Sequence, residues 1–281
     1  MNAGSNNIRT NVLQKTAIDL KNVSISFRLA NGNRFDAVAE SNLSVAENEF
    51  VSIVGPTGCG KSTLLNAVAG LLNPASGTVE IDGEPLKGLN RKAGYLFQQD
   101  ALMPWKTVLD NVAIGLEIAG TPRRKARAQA QEWLERVGLA NFGDRYPHML
   151  SGGQRKRVGL AQVLIRNPKF LLMDEPFGPL DAQTRVIMGD LLLDLWSQDR
   201  KAVMFVTHDL EEAIALSDRV VIMSAGPRAR IMAEYQISLP RPREISEIRL
   251  DPQFHEIHRE IWSALKGEVL KGYKQTSGDS R

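Results

Sequence analysis

EFVSIVGPTGCGKSTLLNAVAGLL, residues 49–72, passes through three textures without a break. EFVSIV has the length and β-branched content of a buried strand. STLLNAVAGLL spaces its apolar residues as a helix does. Between them Gly55 to Ser62 fits G-x-x-x-x-G-K-[ST], and Thr63 extends it. In that pattern Gly55, Gly58 and Gly60 let backbone N–H groups turn inward on phosphate oxygens, with Pro56, Thr57 and Cys59 completing the turn. Lys61 neutralises phosphate charge, and the Ser62 hydroxyl is placed for Mg²⁺. A glycine-rich turn alone says little. One that ends a strand and opens a helix has the context a phosphate cradle requires.

Outward from this loop the chain alternates strand and helix. AIDLKNVSIS (17–26) alternates as a strand, ANGNR (30–34) carries an Asn-Gly turn, and SGTVEIDGEPL is a further strand with a turn. Near Gln98 the texture turns helical. Thr121-Pro122 is expected to cap a helix, with RRKAR on its solvated face and Trp133, Leu134 and Val137 inward. Later come three apolar strands, KFLLM (169–173), KAVMFV (201–206) and RVVIM (219–223), with a helical stretch between the first two. Such alternation predicts an α/β fold with a largely parallel, doubly wound sheet. Ligands of such sheets sit beyond the carboxyl ends of the strands. There the sequence places the phosphate loop, Asp174–Glu175 and Thr207–His208. Asp174 can hold Mg²⁺ through water, Glu175 can polarise an attacking water, and His208 can reach a terminal phosphate.

LSGGQRKRVGLAQ (150–162) raises a second question, since it too opens a helix on glycines and so offers an anion site. Beyond it LPRPR (239–243) is expected as a linker. DPQFHEIHREIWSALKGEV is expected as a helix capped by Asp251, with Pro252 first and Phe254, Ile257, Ile261 and Leu265 on one face. YKQTSGDSR is expected to fray.

Composition restricts the class. The 281 residues carry a net charge of +3 and 43% hydrophobic residues, ordinary for a chain with a real core. The charge is too small to demand a nucleic-acid partner. A single cysteine excludes an intrachain disulfide and a cysteine metal cluster. No run approaches the roughly 18 apolar residues of a membrane span, and the polar start lacks a signal core.

Together these motifs resemble the nucleotide-binding subunit of an ABC transporter, over roughly residues 17–235. GPTGCGKST is similar to that family's Walker A motif, FLLMDEP to Walker B, and LSGGQ to the ABC signature. Gln98 in YLFQQD stands at the Q-loop, Asp181 in GPLDA at the D-loop, His208 at the switch histidine, and Phe27 where an aromatic stacks on adenine. The resemblance implies a P-loop ABC ATPase domain with a mostly parallel core sheet, an antiparallel β subdomain and a helical signature subdomain at about 99–165. It implies a flexible tail at 1–16, the ATPase domain at 17–240, and a linker, helix and tail at 241–281. ATP and Mg²⁺ are the implied ligands. Glu175 is the implied general base, with Gln98 sensing Mg²⁺ and water, and His208 holding the γ-phosphate. Ser151, Gly152, Gly153 and Gln154 would close over ATP held by a second such subunit, head to tail, which accounts for two cradles in one chain. Lys156, where Gln or another polar residue is expected, is taken as a surface residue of that helix, Pro179 as a stiffener of the D-loop. Cys59 implies that alkylation blocks hydrolysis and that Mg-ATP protects.

LFQQDALMPWKTVLDNVAIGLE, with its Leu-x-Pro-Trp run, is similar to subunits serving nitrate, sulfonate and taurine uptake. The implied partners are a second ATPase subunit, as a homodimer, transmembrane permease subunits and indirectly a solute-binding protein, with no nucleic acid. The implied place is peripheral, on the cytoplasmic face of the inner membrane. Two alternatives stay open: an ABC ATPase of a lipid or export system, and a soluble ABC protein acting on ribosomes or DNA.

Overall fold

Alternation builds the first layer. β1 (Thr16–Arg28) and β2 (Arg34–Ala46) pair antiparallel around the Asn-Gly turn, where Gly32 donates to the Leu29 carbonyl. β1 also pairs with the later β4 (Ser76–Ile81), giving a sheet ordered β2-β1-β4-β5 once the two-residue β5 (Glu84–Pro85) is added. The computed structural model describes residues 15–278, with side chains to 274, so the expected tail at 1–16 lies almost wholly outside the described residues.

The second sheet holds the loop quoted above. β3 (Phe50–Val54) runs into α1 (Lys61–Val68), and then come β4 (Ser76–Ile81) and β5 (Glu84–Pro85) of the first sheet. β6 (Ala93–Leu96) follows, a strand that its sequence does not announce. Next are the helices α2 (Val108–Ile118), α3 (Arg123–Arg136) and α4 (Gly152–Leu164). β7 (Phe170–Asp174), α5 (Ala182–Gln198), β8 (Ala202–Val206), α6 (Leu210–Leu216), β9 (Arg219–Met223) and β10 (Ile231–Gln236) close the sheet, in the order β10-β9-β3-β8-β7-β6. The five strands from β9 to β6 are parallel and only β10 is antiparallel. β3 and β8 are buried throughout because both faces are covered. Their period of two splits the core. Val51, Ile53, Met204 and Val206 face α1 and the antiparallel sheet, while Phe50, Val54, Val203 and Phe205 face the helices.

The helical portion departs from expectation at one cap. Thr121 is not the N-cap: α3 begins at Arg123, Pro122 is the cap, and it bonds only through its carbonyl to the Ala126 N–H. Proline carries no side-chain acceptor, so the first amides of α3 have no side-chain cap, while its ring fixes φ at the entry. Leu134 and Val137 are buried and Trp133 half-buried, as their spacing predicts. Arg127 pairs with Asp110, so the basic run is held to its own subdomain.

LPRPR is not a free linker. Leu239 is buried, and the buried Arg243 guanidinium donates to the carbonyls of Ser217, Ala215 and Leu239 at 2.7, 3.1 and 2.9 Å. The segment is therefore a strap across the end of α6. It leads through α7 (Ile245–Ile248) to α8 (Pro252–Gly278), which starts as expected, with Asp251 accepting from the Gln253 N–H. Phe254, Ile261 and Leu265 are buried along one face. The helix continues through 273–278 rather than fraying there, and 279–281 lie outside the described residues. Its later turns reach the phosphate loop. Buried Glu268 accepts from the Ala225 N–H at 2.8 Å, and a Cβ on Gly272 would stand 3.0 Å from that of Pro56. No helix among the described residues is long and apolar enough to cross a membrane.

Candidate active site

The parallel strands deliver the expected residues to one rim. Past β3 the chain turns through Gly58 and Gly60, both at positive φ, and Gly60 caps α1 with no side-chain acceptor on its amides. A Cβ on Gly60 would lie 2.9 Å from Val38 Cγ2, so the loop demands glycine for both backbone and space. The first amides of α1 thus stay available to an anion, with no acidic residue in the first turn to compete. Lys61 is 5% exposed and folds its ammonium back on the loop, onto the Gly55 and Pro56 carbonyls at 3.0 and 3.1 Å. A buried cation held by carbonyls, beside open amides, offers what a phosphate needs.

Cys59 sits in the loop but out of reach. Its side chain is 1% exposed, packed beneath Gly55, and burial pushes its thiol up. A thiol held protonated out of solvent reacts slowly, so ready alkylation does not follow from its place in the loop.

β7 brings Asp174 to the same rim, where it accepts from the Ser62 hydroxyl at 2.7 Å. Burial pushes the Asp174 carboxyl up, and the neighbouring Glu175 adds to this. No cluster of three or more His, Cys, Asp or Glu is present among the described residues, so there is no all-protein metal cage. A hydroxyl and one carboxylate beside a phosphate cradle suit Mg²⁺, which keeps waters and takes phosphate oxygens as its other ligands.

Glu175 closes the arrangement. Its φ is +42°, and its N–H bonds the Val206 carbonyl at 2.9 Å, which fixes it against the end of β8. Its Oε2 lies 3.2 Å from Gln98 Nε2 and 3.2 Å from His208 Nδ1. One carboxylate oxygen therefore joins residues arriving from β6, β7 and β8. The backbone behind His208 is held in turn. Thr207 Oγ1 accepts from the Asp209 N–H at 3.0 Å and donates to Glu212, whose burial raises its carboxyl from 4.5 to about 7. Arg185 ties Asp209 at 2.7 Å to the Leu180 carbonyl at 3.1 Å.

Hydrogen bonds and chain continuity thus gather Lys61, Ser62, Asp174, Glu175, Gln98 and His208. Other expected residues stand apart. Phe27 lies at the end of β1, opposite Phe35, with both rings partly exposed. Asp181 caps α5, accepting from the Thr184 N–H and hydroxyl at 2.9 and 2.6 Å, and these bonds hold its carboxyl low. Ser151 caps α4 in a reciprocal box with Gln154, at 3.3 and 2.9 Å. Among the described residues no hydrogen bond takes up the amides of Gly152 and Gly153 or links the signature to the phosphate loop. A Cβ on Gly153 would lie 2.6 Å from Thr184 Cγ2, so glycine is also what lets α4 pack on α5.

Lys156 is a correction. It is not on the surface but 4% exposed, with Nζ 2.6 Å from the Gln98 carbonyl and 3.0 Å from Asp100. The covering Q-loop segment comes from far along the chain, so spacing on α4 could not reveal it. Trp105 runs the other way: it is 73% exposed on a turn that buried Asn111 fixes through Met103, Lys106 and Thr107.

Residues 38–178 match the ABC transporter family model. An uncharacterized ABC transporter ATP-binding protein of Methanocaldococcus jannaschii is 46% identical over 260 residues, covering 92% of this chain and 95% of that one. The taurine import ATP-binding protein TauB of Pseudomonas aeruginosa is 43% identical over 243 residues, covering 85% and 92%. Among solved structures, the dimeric post-hydrolysis state of the ATP-binding cassette MJ0796 bound to ADP and Pi aligns with a TM-score of 0.70 at 33% identity. It covers 79% of this chain and all of that one. With its phosphate loop, its strand-end carboxylates and a signature helix on one scaffold, the chain belongs to the ABC transporter family and is one of its ATPase subunits.

Proposed function

We propose that this subunit drives uptake of a small anion, of the nitrate, sulfonate or taurine kind, by closing head to tail on a second copy of itself around ATP. One observation carries the head-to-tail part of the reading: Glu175 Oε2 is poised between Gln98 and His208, while among the described residues no hydrogen bond takes up the amides of Gly152 and Gly153. One rim thus holds a cradle and a base, and a second cradle is free for another subunit's nucleotide.

The roles follow from position. The Gly55–Thr63 loop and Lys61 hold the phosphates, and Phe27 meets the base. Mg²⁺, held by Ser62 and through water by Asp174 and Gln98, would offset charge on the transferred phosphoryl group. Glu175 takes the proton of the attacking water, Gln98 and His208 orient it, and His208 reaches the γ-phosphate. Ser151 to Gln154 meet the partner's γ-phosphate, with Asp181 beside them. Exposed Trp105, on its rigid turn after the Q-loop, supports docking to a transmembrane permease, and through it to a solute-binding protein. The subunit would then sit peripherally on the cytoplasmic face of the inner membrane, and nucleic acid has no part.

Glu175→Gln tests this. The variant is expected to bind Mg-ATP, to lose about a thousandfold in turnover, and to accumulate as an ATP-bound dimer in light scattering. Extracted in mild detergent, it should carry a multi-span membrane protein identifiable by mass spectrometry. Near-parental turnover removes the general-base role. Recovery of only soluble proteins or nucleic acid removes the transport reading and leaves the ATPase.

A further inference from the structure

Two charged residues outside the reacting rim tie its Q-loop to the signature helix. Asp100 is gripped from both sides: Lys156 Nζ is 3.0 Å from its Oδ1 and Arg155 Nε is 2.8 Å from its Oδ2. Lys156 also donates to the Gln98 carbonyl at 2.6 Å, and Arg155 to the Leu150 carbonyl at 2.7 Å, immediately before the Ser151 cap. Lys156 is 4% exposed, so its bond to the Gln98 carbonyl forms in a medium poor in water, whereas the Arg155–Asp100 pair is part-exposed. The backbone of residues 98–100 is therefore fastened to the first turns of α4, whereas the Gln98 side chain reaches Glu175 on the core sheet.

The geometry points to Lys156 as a positioning residue that makes the Gln98 backbone part of the signature-helix body. α4 does not need this bond to stay packed, since Val158, Leu160, Ala161 and Leu164 already bury it. What the bond adds is transmission. When a second subunit's nucleotide reorients the N-terminus of α4, the Gln98 carbonyl is carried along, and its side chain is drawn toward or away from Glu175. The signature of one site thereby reports to the catalytic rim of the other. This inference rests on the head-to-tail dimer proposed above.

The test compares Lys156→Met, which keeps the stem and loses the donor, with Lys156→Gln, which keeps a donor for the Gln98 carbonyl. Asp100→Asn serves as a second lesion should Lys156→Met fail to fold. Lys156→Met is expected to lower kcat about tenfold with Mg-ATP affinity unchanged, because the loss is one of alignment. Lys156→Gln should recover most of the rate. Hydrogen exchange should quicken at residues 98–103 and stay parental along α4. In the Glu175→Gln background, Lys156→Met should weaken ATP-driven dimerisation that Glu175→Gln alone sustains. Parental kcat and dimerisation in Lys156→Met overturn the inference, as does lost protection along all of α4, which would make the residue merely structural. If Glu175→Gln alone fails to dimerise, the dimer reading fails. The tether itself is then judged by exchange at 98–103, where parental rates overturn it.

Discussion

Arg243→Met is the sharpest test of the strap across α6. The guanidinium is 8% exposed and faces carbonyls rather than a carboxylate: Ser217, Leu239 and Ala215 within 3.1 Å, with Pro240 and Ile214 at 3.2 and 3.3 Å. Burial, with Arg241 nearby, pushes it down to about 10. Methionine keeps the apolar stem and removes every donor. Each of the three well-bonded carbonyls then lacks its partner, at about 1–3 kcal/mol apiece. Relief from holding a desolvated charge offsets several kcal/mol of that sum. A net loss of about 3 kcal/mol is expected, which for a chain of this size lowers Tm by about 6–12 °C. Urea unfolding followed by tryptophan fluorescence gives the first number and calorimetry the second. Mg-ATP affinity at 25 °C should not change, because no hydrogen bond joins Arg243 to the rim. A loss below about 1 kcal/mol would mean that the carbonyls find water readily and that LPRPR acts as a linker and not as a strap.

Two further outcomes follow from burial. Glu212 holds its proton more tightly folded than unfolded, from 4.5 to about 7, so its contribution is whole below pH 4.5 and is lost as pH rises through 7. That amounts to about 3 kcal/mol. Glu212→Gln, which cannot titrate, should flatten the fall in stability between about pH 4.5 and 7 in urea titrations; an unchanged slope would show that the carboxylate is already charged. Cys59 should resist maleimide over hours in the native protein and react within minutes in urea, as followed by intact mass. Fast labelling of the native form would mean that the loop opens far more than its packing allows.

Sequence legibility varied by the range of the interaction. β3, the loop and α1 were readable because each is specified by neighbours in the chain: an apolar run, glycines, then helical spacing. Asp174 and His208 were readable because parallel topology sends every strand end to one rim. β6 was not, since AGYL has two small residues and no β-branched one; it is a strand because β7 offers it an edge, in register from Ala93 opposite Phe170. β10 hid for a like reason, pairing antiparallel with β9 at the sheet's margin. Lys156 and the LPRPR segment escape the sequence for one reason. A charged residue on a helix or among prolines is usually solvated, and only distant chain folded over it makes it a tether.

The contact of α8 with the phosphate loop bears on how the protein is born. Pro56 leaves the ribosome long before Gly272 and Glu268, which back the loop and its neighbour Ala225. The strand, turn and helix of the cradle can assemble locally long before then. Its buttress cannot, because synthesis at about 5–20 residues per second separates the two by many seconds. A nascent chain therefore passes through a period in which the motif is complete in sequence but unsupported from behind.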